Sequence, residues 1–283
     1  FADTRIGKSI FSEQINDNVY KENSIYSLLQ NENEPLTVLY HDYELSDKQF
    51  QMRYSHENGN EYQFADSFII DNIDFPQLMN KNPRVPFNEL VKEKIRYDLK
   101  ETKAKVLIID NISFLNIHTA QDTQAALEIM RFLTELKTEN KISILVLAHT
   151  PKMAYNTPIT INNLAGSKHL ANFADSISTI GKSEKDSDYR YFKQIKPSRS
   201  GQMFYDKDYV ITLKIKKDFD FLKFEPDGFC SEYEHINVNE NEKNDQKEDA
   251  LEMYQDGYSM TEIANKLNKG KATISRWISS MKK

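Results

Sequence analysis

Short apolar runs alternate with stretches of helical periodicity from residue 36 to residue 148, and this alternation most limits the folds open to the chain. The stretch 106–109 is wholly apolar, and 144–148 is the longest apolar run. A strand apolar on both sides has both faces buried, which calls for a mostly parallel sheet covered by helices. The pattern predicts strands at 36–40, 68–70, 106–109 and 142–148. It predicts helices from Lys8 to about Asn16, from 47 to 54, from Pro86 to about Lys100 and from 121 to 137. The last carries Ala126, Ile129, Met130, Leu133 and Leu136 in one stripe. From 175 to 224 several short strands are expected, with 189–196 and 209–216 the clearest.

The chain has 283 residues, enough for one large α/β domain and a small appendage. With 39% apolar residues, 16 Phe and 15 Tyr, it is neither disordered nor fibrous. One cysteine excludes a disulfide framework and a multi-cysteine zinc site, and His118, His169 and His235 lack metal-ligand spacing. No apolar run approaches the length of a bilayer span and no signal peptide is visible, so a cytoplasmic protein with no membrane contact is expected. The net charge of −6 confines any nucleic-acid contact to local basic patches. The first residue is Phe and a motif starts at the second, so a longer polypeptide supplying the preceding strand is expected.

That motif is Ala2-Asp3-Thr4-Arg5-Ile6-Gly7-Lys8-Ser9, a phosphate-binding loop with Ala in place of the first Gly. Such a loop wraps a phosphate in backbone N–H groups and feeds a helix N-terminus. Lys8 is then placed for the β- and γ-phosphates and Ser9 for Mg²⁺. Three polar groups follow apolar strands in order. Asp110 ends 106–109, His41, Asp42, Tyr43 and Glu44 follow 36–40, and His149 ends 142–148. Parallel strands deliver such groups to one sheet edge. Asp110 is a candidate for magnesium, Glu44 for general base and His149 for phosphate sensing, although each is also an ordinary strand-end or loop residue taken alone.

With ADTRIGKS at 2–9, LYHDYELSD at 39–47, VLIIDNISFL at 106–115, ILVLAHTPK at 144–152 and NNLAGSKHLANFADSI at 162–177, the chain resembles the RecA/DnaB superfamily of P-loop ATPases. It is most similar to the hexameric plasmid helicases of the RepA branch. The resemblance spans residues 1 to about 235 and implies a RecA-like α/β fold. It implies ATP on Asp3, Thr4, Arg5, Ile6, Gly7, Lys8, Ser9 and Ile10, and Mg²⁺ on Ser9 and Asp110. Glu44 becomes the catalytic base and His149 the γ-phosphate sensor. Family members are usually hexamers that hold nucleotide between subunits and supply a cation in trans. Here that cation is expected from Arg199, with Lys196 in support, at a spacing one residue longer than the Lys-x-Arg of DnaB-like members.

Composition changes after residue 235. Residues 236–250 hold five acidic residues, two lysines, four asparagines and no aromatic, so 236–249 is expected to be a linker. Residues 250–283 form the appendage. Ser259 and Glu262 are spaced as a capping box, and after 268–270 a second helix carries Ile274, Trp277 and Ile278 on one face. The stretch GYSMTEIANKLNKGKATISRWI resembles the helix-turn-helix domains of site-specific recombinases. By that resemblance Lys271, Thr273, Ser275 and Arg276 face double-stranded DNA, with Lys269 near phosphates. A small helical module for protein docking has the same outline. Three functions fit: a DNA-coupled motor of a plasmid or mobile element passing single-stranded DNA through its ring, an ATP-dependent DNA-binding regulator, and a nucleotide-binding scaffold.

Overall fold

A computed structural model describes residues 1–21, 34–56, 59–72, 79–80, 83–115, 123–150, 157–164, 168–198, 201–236, 240–267 and 269–281. The first sheet is parallel, in the order β2-β1-β3-β4, from β1 (Val38–Asp42), β2 (Phe68–Asn72), β3 (Val106–Asp110) and β4 (Ser143–Val146). Side chains alternate between its faces. Leu39, Leu107 and Ile109 pack under α3 (Phe87–Thr102) and α4 (Thr123–Asn140), against Ile95, Leu99, Leu133 and Leu136. Val38, Tyr40 and Ile108 pack on the opposite face with Val19 of α1 (Lys8–Lys21) and Phe50 of α2 (Asp47–Arg53). Ser46 and Gln49 close a capping box that starts α2 immediately beyond the β1 edge.

A second, antiparallel sheet runs in sequence order through β5 (Ile177–Lys182), β6 (Tyr189–Lys196), β7 (Val210–Asp218) and β8 (Phe221–Cys230). Phe1 and Ala2 join the two sheets. Ala2 bridges to His149 beyond β4, while the Phe1 carbonyl accepts from the Ile180 N–H of β5. Beside them β4 and β5 border a mainly apolar cavity of about 1100 Å³. Ile6 and Ile10 carry the phosphate-loop region onto the second sheet, packing with Phe192, Ile211, Leu213 and Phe224. The Gln14 side chain fixes this docking by donating to the Phe224 carbonyl and accepting from its N–H, both at 2.9 Å.

The short helix α6 (Glu232–His235) closes the second sheet. Its His235 is fully buried, within hydrogen-bond distance of Ser183, Thr212 and Cys230. Burial pushes the imidazole down from 6.5 to about 4. Between those two values the unfolded chain takes up a proton that the folded chain refuses, so stability falls as pH drops through the window. The full loss is about 3 kcal/mol. Urea unfolding of the protein and of His235→Gln at pH 7 and pH 4.5 measures it. The variant is expected to lose clearly less stability on acidification, and an equal loss in both proteins refutes the assignment.

The last three helices, α7 (Glu240–Gln255), α8 (Met260–Lys266) and α9 (Lys271–Met281), bury Ala250, Ile263, Ala264, Ile274, Trp277 and Ile278 against one another. The expected capping box is present, with Ser259 accepting from the Glu262 N–H and Glu262 from the Ser259 N–H. Part of the stretch 236–249, expected to be a linker, is described. Ile236 is buried with Ile159, Tyr191 and Val210, and residues 240–249 already belong to α7. Glu, Lys and Gln are good helix formers, and Ala250, Met253 and Tyr254 give this polar helix packing partners on α8 and α9. Among the described residues no helix is long and apolar enough to cross a membrane.

Candidate active site

Register places the chemistry. Because β1 and β3 run parallel with Asp42 opposite Asp110, both carboxylates emerge at the carboxyl edge of the sheet. Ala2 brings the loop to the same edge, donating to the Ala148 carbonyl at 3.2 Å and accepting from the Thr150 N–H at 3.0 Å. The loop then turns through two left-handed residues, Arg5 at φ 61° and Gly7 at φ 106°. A Cβ on Gly7 would meet the Phe224 ring at 2.6 Å, so both backbone and space demand glycine there. Helix α1 starts at Lys8, and the N–H groups of its first turn face the loop as an anion site.

The Lys8 ammonium is buried and donates to the carbonyls of Ala2 (3.1 Å) and Asp3 (2.9 Å) and to Nδ1 of His149 (2.9 Å). An ammonium only donates, so Nδ1 is the acceptor nitrogen and the imidazole proton sits on Nε2. Nε2 in turn donates to Oε1 of Glu44 at 2.8 Å, and the Asn111 side-chain amide donates to the same oxygen. The loop lysine and the candidate base are therefore linked through one histidine. Burial pushes the Lys8 pKa down, opposed by the charges of Asp110, Glu44 and Asp3. The hydrogen bond from His149 holds Glu44 below the ordinary carboxylate value in spite of its partial burial.

Asp110 is fully buried. Its Oδ2 accepts from the Tyr40 hydroxyl at 2.7 Å, and the Ser9 hydroxyl is near enough to favour the ionised carboxylate. Burial pushes its pKa up, and Oδ1 has no hydrogen-bond partner among the described residues. A hydroxyl beside a buried carboxylate with an unpaired oxygen is a hard, all-oxygen donor set, which suits Mg²⁺. Asp42 acts on the backbone: its Oδ1 accepts from the N–H groups of Glu44 (2.8 Å) and Leu45 (2.9 Å), a tight turn that sets Glu44 at the sheet edge. Burial raises Asp42 to about 6.

The structure thus brings together Lys8, Ser9, Glu44, Asp110 and His149 from the sequence-derived set. It adds Asn111 and Tyr40, which the sequence reading did not single out. A polar residue directly after the strand-end Asp and a tyrosine inside an apolar strand were the available signals. Asp3 is half-buried, Thr4 and Arg5 are exposed, and the side chains of Ile6 and Ile10 serve the core, which leaves their backbone for a ligand. His41 points to the other face, with Nε2 at 3.2 Å from Asp98 and 4.0 Å from Asp71. This His/Asp group has the composition of a metal site, but the Lys94 ammonium already bonds both carboxylates and supplies the cation.

The two residues expected to act in trans part ways. Lys196 donates to the carbonyls of Ala171 (2.9 Å) and Ala174 (2.7 Å), capping α5 (Lys168–Phe173) within its own subunit. The end of β6 thus lies against the open carbonyls of a helix C-terminus. Arg199 lies outside the described residues. On α8–α9 and the turn between them, Lys269, Lys271 and Arg276 are exposed while Thr273 and Ser275 are half-buried.

The AAA domain family matches residues 1–154 of the chain. None of the curated proteins matches it. Among solved structures, the crystal structure of a KaiC-like protein from the hyperthermophilic archaeon Pyrococcus horikoshii OT3 is similar in fold. Its TM-score is 0.51 at 14% identity, covering 80% of this chain and 87% of that one. The fold is that of RecA-like P-loop ATPases, and with more than half of its residues matched, the chain belongs to the AAA domain family.

Proposed function

We propose that this protein hydrolyses ATP and couples hydrolysis to DNA, as a helicase-type motor of a plasmid or mobile element assembled as a ring, on the plan of the RepA-type hexamers. The observation that carries the ATPase reading is the Lys8–His149–Glu44 chain lying at the phosphate loop next to the unpaired oxygen of Asp110. The loop backbone and the α1 N-terminus bind the phosphates, and Lys8 neutralises charge on the terminal two. Ser9 and Asp110 would hold Mg²⁺, which when bound adds positive charge at the phosphate oxygens. Glu44, ionised at neutral pH, accepts the proton of the attacking water. His149 bonds Lys8 on one ring nitrogen and Glu44 on the other, so a γ-phosphate that draws Lys8 away also alters the hold on Glu44. A cation from a neighbouring subunit remains part of this reading, with Arg199 its source.

The DNA reading rests on the α7–α9 bundle, whose exposed Lys269, Lys271 and Arg276 would meet phosphates and base edges of duplex DNA. A second reading, an ATP-dependent regulator that binds DNA without unwinding it, is favoured by one observation: residues 157–166, which we take as the loop that would face DNA in a ring, carry no basic side chain. ATP turnover with and without single-stranded DNA tests the motor. Stimulation of several-fold supports it, whereas turnover indifferent to single strands, together with a footprint on one duplex site, supports the regulator. Removing two basic side chains in Lys271→Ala/Arg276→Ala is expected to weaken duplex binding by about tenfold or more at low salt and to flatten its salt dependence. Unchanged binding in a mobility-shift titration eliminates α9 as the DNA-facing element.

A further inference from the structure

The phosphate loop is held from behind by the antiparallel sheet, and one charged side chain reaches through to its backbone. Arg190, the second residue of β6, is 8% exposed. Its Nε donates to the Ile6 carbonyl at 3.2 Å, and one terminal nitrogen donates to the carbonyls of Ser187 and Tyr189, each at 2.7 Å. Ile6 lies between the two left-handed residues Arg5 and Gly7, a backbone shape that persists only where its surroundings impose it. Those surroundings are the Phe224 ring against Gly7, the Gln14 clamp on the Phe224 backbone, and Arg190. In a trans peptide the C=O and the N–H point in opposite directions. A guanidinium that draws the Ile6 carbonyl toward β6 therefore turns the Gly7 N–H to the side away from β6.

We propose that Arg190 is a positioning residue for the phosphate loop, holding the Ile6–Gly7 peptide so that the Gly7 N–H is presented to a nucleotide phosphate. The inference rests on the nucleotide-site reading above and deepens it, because it assigns loop geometry to a residue more than 180 positions away in sequence. Arg190 touches neither nucleotide nor water in this role. It acts on binding through the loop, and β6, whose second residue it is, ends at Lys196, three positions before Arg199.

The test compares the protein with Arg190→Ala, Arg190→Lys and Lys8→Ala, measuring ATP affinity by calorimetric titration and KM and kcat for ATP turnover. Losing a charged hydrogen bond to the loop is expected to weaken ATP binding and raise KM in Arg190→Ala by about ten- to a hundredfold. In the same variant kcat is expected to fall less than threefold. Arg190→Lys is expected to recover only part of the loss, because an ammonium lacks the planar fork that spans three carbonyls. Low millimolar guanidinium, far below denaturing levels, is expected to restore ATP affinity in Arg190→Ala and to leave the parent unchanged. The proposal is overturned if Arg190→Ala binds ATP as the parent does. It is equally overturned if guanidinium gives no recovery and kcat falls in step with a lowered unfolding midpoint. Should the parent itself bind no ATP and match Lys8→Ala, the nucleotide-site reading fails, a result distinct from either of these.

Discussion

Lys8→Ala is expected to abolish nearly all ATP turnover, a loss of at least about a hundredfold of the kind that follows removal of a preorganised charge from a water-poor site. The Lys8 ammonium is buried and surrounded by the charges of Asp110, Glu44 and Asp3. Taking it away leaves three carboxylates facing an incoming polyphosphate without the buried ammonium that offsets them. Affinity for ATP is therefore expected to fall together with kcat. The same substitution removes the donor that holds Nδ1 of His149, so the ring loses its fixed tautomer and its aim at Glu44. Steady-state phosphate release and calorimetric ATP titration read the effect, with the urea unfolding midpoint as the control for an intact protein. Turnover within threefold of the parent would remove the loop from the catalytic account altogether.

The elements that hold this site were legible because of burial. Residues 107–109 are buried in a sheet covered by helices, so that run is unbroken; 142–148 is nearly as apolar although its strand is only half-buried, and in both the strand ends could be read off as the places where polar residues resume. The side to which each polar residue points was less accessible. His41 and Asp42 are the last two residues of the same strand, yet alternation sends His41 to Asp98 and Asp42 to the Glu44 turn. Strand β8 escaped notice because Pro226 and Gly228 interrupt it and its outer half is exposed, which erases the apolar signature. Arg190 and Asn111 owe their importance to distances that only the folded chain creates. Neither spacing nor composition marks an arginine in a strand as the brace of a loop 184 residues away. Lys196 shows the converse, since a basic residue in the expected position is bound to its own helix end.

Glu44→Gln is expected to separate binding from chemistry. Glutamine keeps the shape of the side chain and an oxygen able to accept from Asn111 and from Nε2 of His149, so the Lys8–His149 contact and the turn set by Asp42 survive. What disappears is the negative charge and the capacity to take a proton. If Glu44 is the general base, turnover falls by about 10²- to 10⁴-fold. ATP affinity is unchanged or higher, because one of the carboxylates near the triphosphate has been neutralised. The carboxylate is also the group that the His149 hydrogen bond keeps ionised, below its ordinary pKa of 4.5. Losing that support in His149→Ala moves Glu44 back toward the ordinary value, so the acid limb of the pH–rate profile should shift upward in pH. A merely structural role for the histidine would not move that limb. ATP titration and single-turnover hydrolysis of Glu44→Gln decide the matter: tight binding without hydrolysis assigns the base, whereas hydrolysis at close to the parent rate passes that role to another group and leaves Glu44 as the partner that aligns His149 toward the lysine.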